Sequence, residues 1–184
     1  MCGVLATPRL HGHLTASLPR ALPVLCRNRI DLAAMFDAPR PSITTLRWRL
    51  LAAKYQIPAM LARGAGSLIF VSSFVGYTAA MPGAATYAAS KAGQIGLMKA
   101  LAVEYGPRKI RVNALLPGGT QTAAADTMAN TEEMKAFVRN MHALKRIAEP
   151  EEQARAALFL ASDAASFVTG SAMLVDGGVS INKT

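Results

Sequence analysis

A tyrosine and a lysine that lie four residues apart, Tyr87 and Lys91, are the side chains of this sequence best suited to chemistry. On a helix this spacing places the two side chains one turn apart on the same face. A free tyrosine has a pKa of about 10 and is a poor acid–base catalyst at neutral pH, but a nearby ammonium favours its phenolate form. The pair could therefore exchange a proton with a hydroxyl or carbonyl oxygen.

The spacing alone is weak evidence, because tyrosine and lysine also occur together on solvated helix faces. The residues around the pair strengthen the evidence for a catalytic role. The pair begins a long helical pattern that is ended by Gly106 and Pro107, and it follows an apolar run that ends at Ser72 and Ser73. We expect Ser73 to lie at the carboxyl end of a parallel strand, where open α/β sheets place their ligand crevice, and to bond the same oxygen.

Helical and extended patterns alternate from residue 50 onward. The predicted helices cover residues 50–63, 86–105, 131–144 and 150–162. The predicted strands are short apolar runs at residues 67–73, 110–116 and 171–176. Such alternation implies βαβ crossovers, so we predict an α/β fold built on a parallel sheet.

Composition excludes several classes of protein. The chain has 184 residues, of which 52% are hydrophobic and 17% are charged, as in folded globular proteins. No apolar run reaches the roughly 18 residues that span a bilayer, so we expect no membrane partner. Cys2 and Cys26 are too few for a disulfide framework and lack metal-ligand spacing. We therefore expect a cytoplasmic protein without a metal.

The net charge of +9 is concentrated near the N-terminus, since residues 1–50 hold seven arginines, no lysine and two acidic residues. Only Phe36 and Trp48 are aromatic in that stretch, so we expect no nucleic-acid partner. Five prolines interrupt the same stretch and disfavour long helices and central strands. We predict an irregular segment over residues 1–49 and a folded domain over residues 50–184.

On these features, residues 50–184 resemble the C-terminal portion of the short-chain dehydrogenase/reductase family. Besides Tyr87, Lys91 and the paired serines, the resemblance rests on the segments IRVNALLPGGTQT (110–122), FVTG (167–170) and VDGG (175–178). It implies a Rossmann-type doubly wound parallel sheet that is incomplete, consisting of the last three strands and their helices. It also implies hydride transfer between NAD or NADP and a small-molecule alcohol or ketone.

The resemblance implies catalytic roles for three residues. Tyr87 would be the acid–base group, Lys91 would lower its pKa and bond the nicotinamide ribose, and Ser73 would orient the substrate oxygen. Ser73 and Tyr87 are fourteen residues apart, one more than is usual in the family, which indicates a loop insertion. Strand alternation turns only one of Ser72 and Ser73 toward the crevice, and we choose Ser73.

The resemblance also implies that Tyr87 and Lys91 contact the cofactor together with residues that follow the second predicted strand. The backbone of Pro117, Gly118 and Gly119 would approach the nicotinamide, and Thr122 would bond its carboxamide.

Residues 123–148 match the variable substrate lid of the family. Its apolar side chains either line a pocket or simply pack the helices; they are Met128, Met134, Phe137, Met141 and Leu144. We do not expect His142 to be catalytic, because nothing near it in the sequence has triad or metal-site spacing. Asn113 is expected to make structural hydrogen bonds.

The glycine-rich turn with which the family seats the cofactor pyrophosphate is not recognisable, since residues 1–50 contain only Gly3 and Gly12. Three hypotheses account for this segment: translation in a shifted frame or from a misplaced start, an organelle-targeting peptide, or a genuine extension of a truncated relative. Under each of them we expect the chain alone to be marginally stable, to bind dinucleotide weakly or not at all, and to have low or no activity.

A second function is compatible with the same residues. Helices 50–63 and 86–105 correspond to helices that pack between subunits in this family. We therefore expect a homo-oligomer, either as the form of the enzyme or as a non-catalytic interaction remnant.

Overall fold

The computed structural model describes residues 43–183. Along this part of the chain the main elements are helix α1 (Ile43–Ala62), strand β1 (Gly66–Val71), helix α2 (Ala85–Tyr105), strand β2 (Ile110–Pro117), helices α3 (Ala123–Met128), α4 (Glu132–Met141) and α5 (Pro150–Ala161), and strand β3 (Ala172–Val175). All four predicted helices and all three predicted strands are present. The predictions for residues 1–42, including both cysteines, lie outside the described residues.

Two predicted helices and one predicted strand have different bounds, and one helix was not predicted. Strand β1 ends at Val71 and not at residue 73. Helix α1 begins at Ile43 and not at residue 50, and its first turns pack on α2, where a Cβ at Gly93 would lie 2.8 Å from Leu46 Cδ2. Helix α3 was not predicted, because six residues are too few to show a helical period. Helix α4 ends at Met141 and not at residue 144, since His142 has an extended backbone.

The three strands form one parallel sheet in the order β1-β2-β3. Gly66 pairs with Ile110 and Val71 with Leu115, while Pro117 at the end of β2 pairs with Val175 at the end of β3. Because the strands are parallel, the residues that follow them meet at one edge of the sheet. The predicted α/β fold is therefore confirmed, and this edge is where the candidate site residues lie.

Helices cover both faces of the sheet, as in a doubly wound fold. Leu68 and Phe70 of β1 face one core, which Ile57 of α1 and Met98 of α2 complete. Ile69, between them in the strand, faces a second core against α5 and its buried Leu160 and Ala161. This alternation follows the two-residue period of a strand, and the burial of both faces explains why β1 reads as a continuous apolar run.

A buried asparagine joins β2 to the segment that leads into β3. Asn113 is fully buried; its Nδ2 donates to the Val168 carbonyl at 2.9 Å, and its Oδ1 accepts the Ser171 N–H at 3.1 Å. The predicted structural role of Asn113 is thereby confirmed. Its amide satisfies two backbone groups of an irregular segment, which fixes where β3 begins.

Replacing Asn113 by leucine should destabilise the fold by about 2–4 kcal/mol, because a side chain of similar size would leave the Val168 carbonyl and the Ser171 N–H unpaired in the core. Urea denaturation followed by circular dichroism measures this change. The control is Asn130→Leu, at an exposed position, which should shift stability by less than about 0.5 kcal/mol. Equal effects of the two substitutions would contradict a special role of the Asn113 amide.

Candidate active site

The structure places Tyr87 and Lys91 side by side in the first turns of α2. The Lys91 Nζ lies 5.5 Å from the centroid of the Tyr87 ring, and the lysine side chain is only 3% exposed. Its Nζ donates a hydrogen bond to the carbonyl of Val71, the last residue of β1, at 3.3 Å. The ammonium is thus held at the carboxyl edge of the sheet, next to a half-buried phenol.

The two serines after β1 are both buried but have different hydrogen-bond partners. Ser72 Oγ donates to the Lys91 carbonyl at 2.9 Å and so ties the strand to the helix. Ser73 Oγ accepts the Val75 N–H at 3.2 Å, which uses an oxygen lone pair and leaves the hydroxyl hydrogen to be donated. This difference favours Ser73 over Ser72 as the residue that could bond a substrate oxygen.

A small apolar cluster connects the residues after Ser73 to Tyr87. Phe74, Val75 and Val179 are buried in it, and the partly buried Tyr87 and Met141 pack against it. The structure therefore brings together the loop after β1, the start of α2, the end of α4 and the segment after β3. A phenol, an ammonium and a hydroxyl at this junction are the groups needed to hold one oxygen atom and to transfer a proton to it.

The glycines after β2 are tightly packed against other parts of the protein. A Cβ at Gly118 would lie 2.7 Å from the Cα and carbonyl oxygen of Asp176, and one at Gly119 would lie 2.8 Å from Ile147 Cγ2. The Gly118 N–H donates to the Val175 carbonyl at 3.1 Å, next to the Pro117–Val175 pair that ends the sheet. Packing against the Asp176 backbone thus requires glycine at Gly118, and side chains crowd Gly119. The approach of this backbone to the nicotinamide stays a prediction.

The candidate residues between 122 and 148 have dissimilar environments. Thr122 Oγ1 accepts the Ala125 N–H at 3.1 Å and caps the N-terminus of α3. Met134, Phe137 and Leu144 are exposed, whereas Met141 packs on the cluster around Val179. The side chain of the remaining residue, Met128, is not among those described. Of Met134 and Met141, it is Met141 that contacts the site cluster.

His142, which was not expected to be catalytic, contacts the loop after β2. Its ring is buried, Nε2 accepts the Gly119 N–H at 2.9 Å, and Nδ1 is hydrogen-bonded to the Val138 carbonyl at 2.8 Å. Neither a catalytic-triad spacing nor a metal-site spacing includes His142. Its partner Gly119 is a backbone group 23 residues away, and no side-chain pattern could have revealed that contact.

The segment after β3 forms a turn around Asp176. Its carboxylate accepts the N–H groups of Gly178 at 2.9 Å and Ser180 at 3.0 Å, and the Ser180 hydroxyl is hydrogen-bonded to the hydroxyl of Thr78, in the loop after Ser73. Burial raises the pKa of Asp176, but the hydrogen bonds from Ser180 and Gly178 outweigh it and leave the pKa below its ordinary value. The ionised carboxylate therefore helps to hold this turn against the site.

Within residues 43–183, no helix has the length and hydropathy needed to cross a membrane. The same residues contain no cluster of three or more His, Cys, Asp or Glu side chains placed to bind a metal ion.

Comparison with known proteins identifies relatives of this chain. The sequence model of a family described as enoyl-(acyl carrier protein) reductase matches residues 46–180. A 2,5-dichloro-2,5-cyclohexadiene-1,4-diol dehydrogenase of Sphingobium indicum is 42% identical over 130 residues, which are 70% of this chain and 52% of the relative. An A-factor type gamma-butyrolactone 1'-reductase of Streptomyces virginiae is 46% identical over 127 residues, or 68% and 49% of the two chains.

A solved structure shows the same likeness in three dimensions. A gluconate 5-dehydrogenase from Burkholderia cenocepacia, in complex with NADP and tartrate, superimposes with a TM-score of 0.67 at 30% identity, covering 71% of this chain and 51% of that one. The chain belongs to the short-chain dehydrogenase/reductase family. It spans about half the length of the curated relatives it matches, and the match falls on their C-terminal portion.

Acid should remove the contribution of Asp176 to stability. Because the pKa of this carboxyl is lower in the folded than in the unfolded state, the carboxylate stabilises the fold above the unfolded-state pKa of about 4, and this stabilisation is lost as the pH falls through the folded-state pKa. We expect Asp176→Asn to be less stable than the wild type at pH 7, with the difference shrinking toward pH 3. Urea denaturation of both proteins across this range measures it, and a difference that does not depend on pH would contradict the assignment.

Proposed function

We propose that this chain carries the catalytic part of an NAD(P)-dependent oxidoreductase that interconverts an alcohol and a ketone. The observation that carries the proposal is the buried Lys91 ammonium, 5.5 Å from the centre of the Tyr87 ring, at the carboxyl edge of a parallel sheet. The names of the relatives, a dehydrogenase and a reductase, and the NADP in the Burkholderia structure support the same reaction class.

The groups at the site suit a nicotinamide cofactor in their chemistry. An ammonium and a phenol can bond ribose hydroxyls, and a serine hydroxyl can bond the oxygen of a carbinol or carbonyl group. The residues proposed to hold the nicotinamide end are Tyr87, Lys91, Pro117, Gly118, Gly119 and Thr122. A bound nicotinamide supplies or accepts the hydride. Because no glycine-rich phosphate turn is recognisable in residues 1–50, we propose that this chain alone binds dinucleotide weakly and has low activity.

Proton transfer in the proposed reaction belongs to Tyr87. In the direction of reduction, its phenol donates a proton to the carbonyl oxygen of the substrate as that carbon gains a hydride, and the product is an alcohol. Ser73 donates a hydrogen bond to the same oxygen and orients it. The Lys91 ammonium stabilises the phenolate that remains on Tyr87. Oxidation follows the reverse path, with the phenolate accepting the proton of the alcohol.

Replacing Tyr87 by phenylalanine should lower the turnover number by about 10²- to 10⁴-fold, because the proton donor is lost while the ring and its packing remain. The absorbance of NADPH and NADH, followed with a panel of ketones, measures turnover. Tyr105→Phe, at a half-buried tyrosine on the same helix, is the matched control and should keep wild-type activity. Full activity of Tyr87→Phe would refute the assigned mechanism.

A second proposal concerns self-association through α1 and α2. These two helices expose large apolar side chains, among them Trp48 at 51%, Leu50 at 53% and Val103 at 80%. Apolar surface that is exposed over a contiguous patch marks a contact with another protein. We propose that a second copy of the chain covers them, whether or not the chain is a catalyst.

The substitutions Trp48→Glu and Val103→Glu should each weaken self-association by about tenfold or more, because a carboxylate would have to be desolvated in an apolar interface. Sedimentation velocity over a range of protein concentrations measures the dissociation constant. Phe137→Glu is the control, since Phe137 is 62% exposed but lies on α4. If Phe137→Glu disrupts the oligomer and the other two substitutions do not, the contact surface is not the one proposed.

A further inference from the structure

We infer that His142 is a positioning residue, which holds the backbone of Gly119 in place within the loop proposed to face the nicotinamide. The role in cofactor binding rests on the proposed function, whereas the contact itself does not. The Gly119 N–H donates to His142 Nε2 at 2.9 Å, and a Cβ at Gly119 would lie 2.9 Å from His142 Cε1. The ring is only 3% exposed, so solvent does not compete for this bond.

The partners of the two ring nitrogens determine the tautomer of His142. The Val138 carbonyl, 2.8 Å from Nδ1, can only accept a hydrogen bond, so Nδ1 carries the proton. The Gly119 N–H can only donate, so Nε2 offers its lone pair. Both nitrogens are thus occupied by backbone groups, and neither is available to exchange a proton with a substrate. The ring therefore acts on the site through Gly119.

Segment 142–148 also holds the loop by backbone hydrogen bonds. The Gly119 carbonyl accepts the Ala148 N–H at 2.8 Å, and the Ala148 carbonyl accepts the Gln121 N–H at 2.8 Å. Gly119 is therefore fixed at both of its backbone groups, by the imidazole on one side and by Ala148 on the other. Of these three hydrogen bonds, only the one to the imidazole involves a side chain. A substitution at His142 can therefore remove that bond and leave the other two in place.

The same histidine connects this loop to the end of α4, which Asn182, in the segment after β3, also contacts. Its Nδ1 binds Val138 in the last turn of α4, where the Asn182 side chain also donates to the Asn140 and Met141 carbonyls, both at 3.1 Å. A purely structural role of His142 would be to serve as one more cap of this helix end. The two roles use different ring nitrogens, and this allows them to be distinguished.

Three substitutions at His142 separate the two roles. Glutamine places an acceptor near the position of Nε2 and can keep the Gly119 bond. Asparagine places a donor near the position of Nδ1 and can keep the bond to Val138. Phenylalanine fills the space and keeps neither. Amide hydrogen exchange of Gly119, measured by NMR on the full chain, reports the contact without any need for activity, and thermal unfolding of each variant verifies that it is folded.

We expect His142→Asn and His142→Phe to speed Gly119 exchange by about tenfold, as for the loss of one hydrogen bond, and His142→Gln to stay within about threefold of wild type. Titration with NADPH and NADH should rank the variants in the same way. The affinity should fall about tenfold in His142→Asn and His142→Phe and stay near that of the wild type in His142→Gln.

Rescue by asparagine instead of glutamine would overturn the inference in favour of the helix-cap role. Unchanged cofactor affinity in all three variants, beside a wild type that binds, would overturn the positioning of the cofactor. If the wild type binds neither dinucleotide, the role of His142 in cofactor binding by this chain fails, and Gly119 exchange still decides whether His142 holds the loop.

Discussion

A buried ammonium is the constraint on which the site depends. A charged group shielded from water is costly unless polar atoms surround it, and Lys91 has the carbonyl of Val71 at the end of β1 as a partner. The backbone carbonyl of the same lysine accepts the hydroxyl of Ser72. The two hydrogen bonds join the end of strand β1 to helix α2. The loop between these elements therefore returns to the strand end, so that Ser73 and Tyr87 lie in the same region.

The parallel register of the sheet also determines where the chain leaves the other two strands. Because Val71 is level with Leu115, and Pro117 with Val175, the chain leaves all three strands on the same side of the molecule. The turn around Asp176, the glycines after β2 and the end of α4 then pack around the junction. Their hydrogen bonds are mostly between backbone groups, or between a side chain and the backbone, so the shape of the site depends little on which side chains form its outer surface.

Sequence reasoning found the parts of this arrangement that depend on local pattern. The apolar runs of the strands, the helix that begins before Tyr87 and the four-residue spacing to Lys91 can be read from neighbouring residues. The early start of α1 could not be read, because its first turns are stabilised by packing of Leu46 near Gly93. His142 was missed for a similar reason, since its partner is a backbone N–H on another loop. The assignment of Ser73 was argued from strand alternation, but β1 ends at Val71 and both serines follow it, so the assignment stays a prediction.

The glycines after β2 affect how mutagenesis of such a site should be interpreted. Any side chain at Gly118 would collide with the backbone of Asp176, and any side chain at Gly119 would collide with Ile147 and His142. A variant at either position would be disturbed before it encounters a ligand. Loss of function at Gly118 or Gly119 would therefore report crowding inside the protein together with any loss of cofactor contact, and would not by itself demonstrate that a ligand touches these residues.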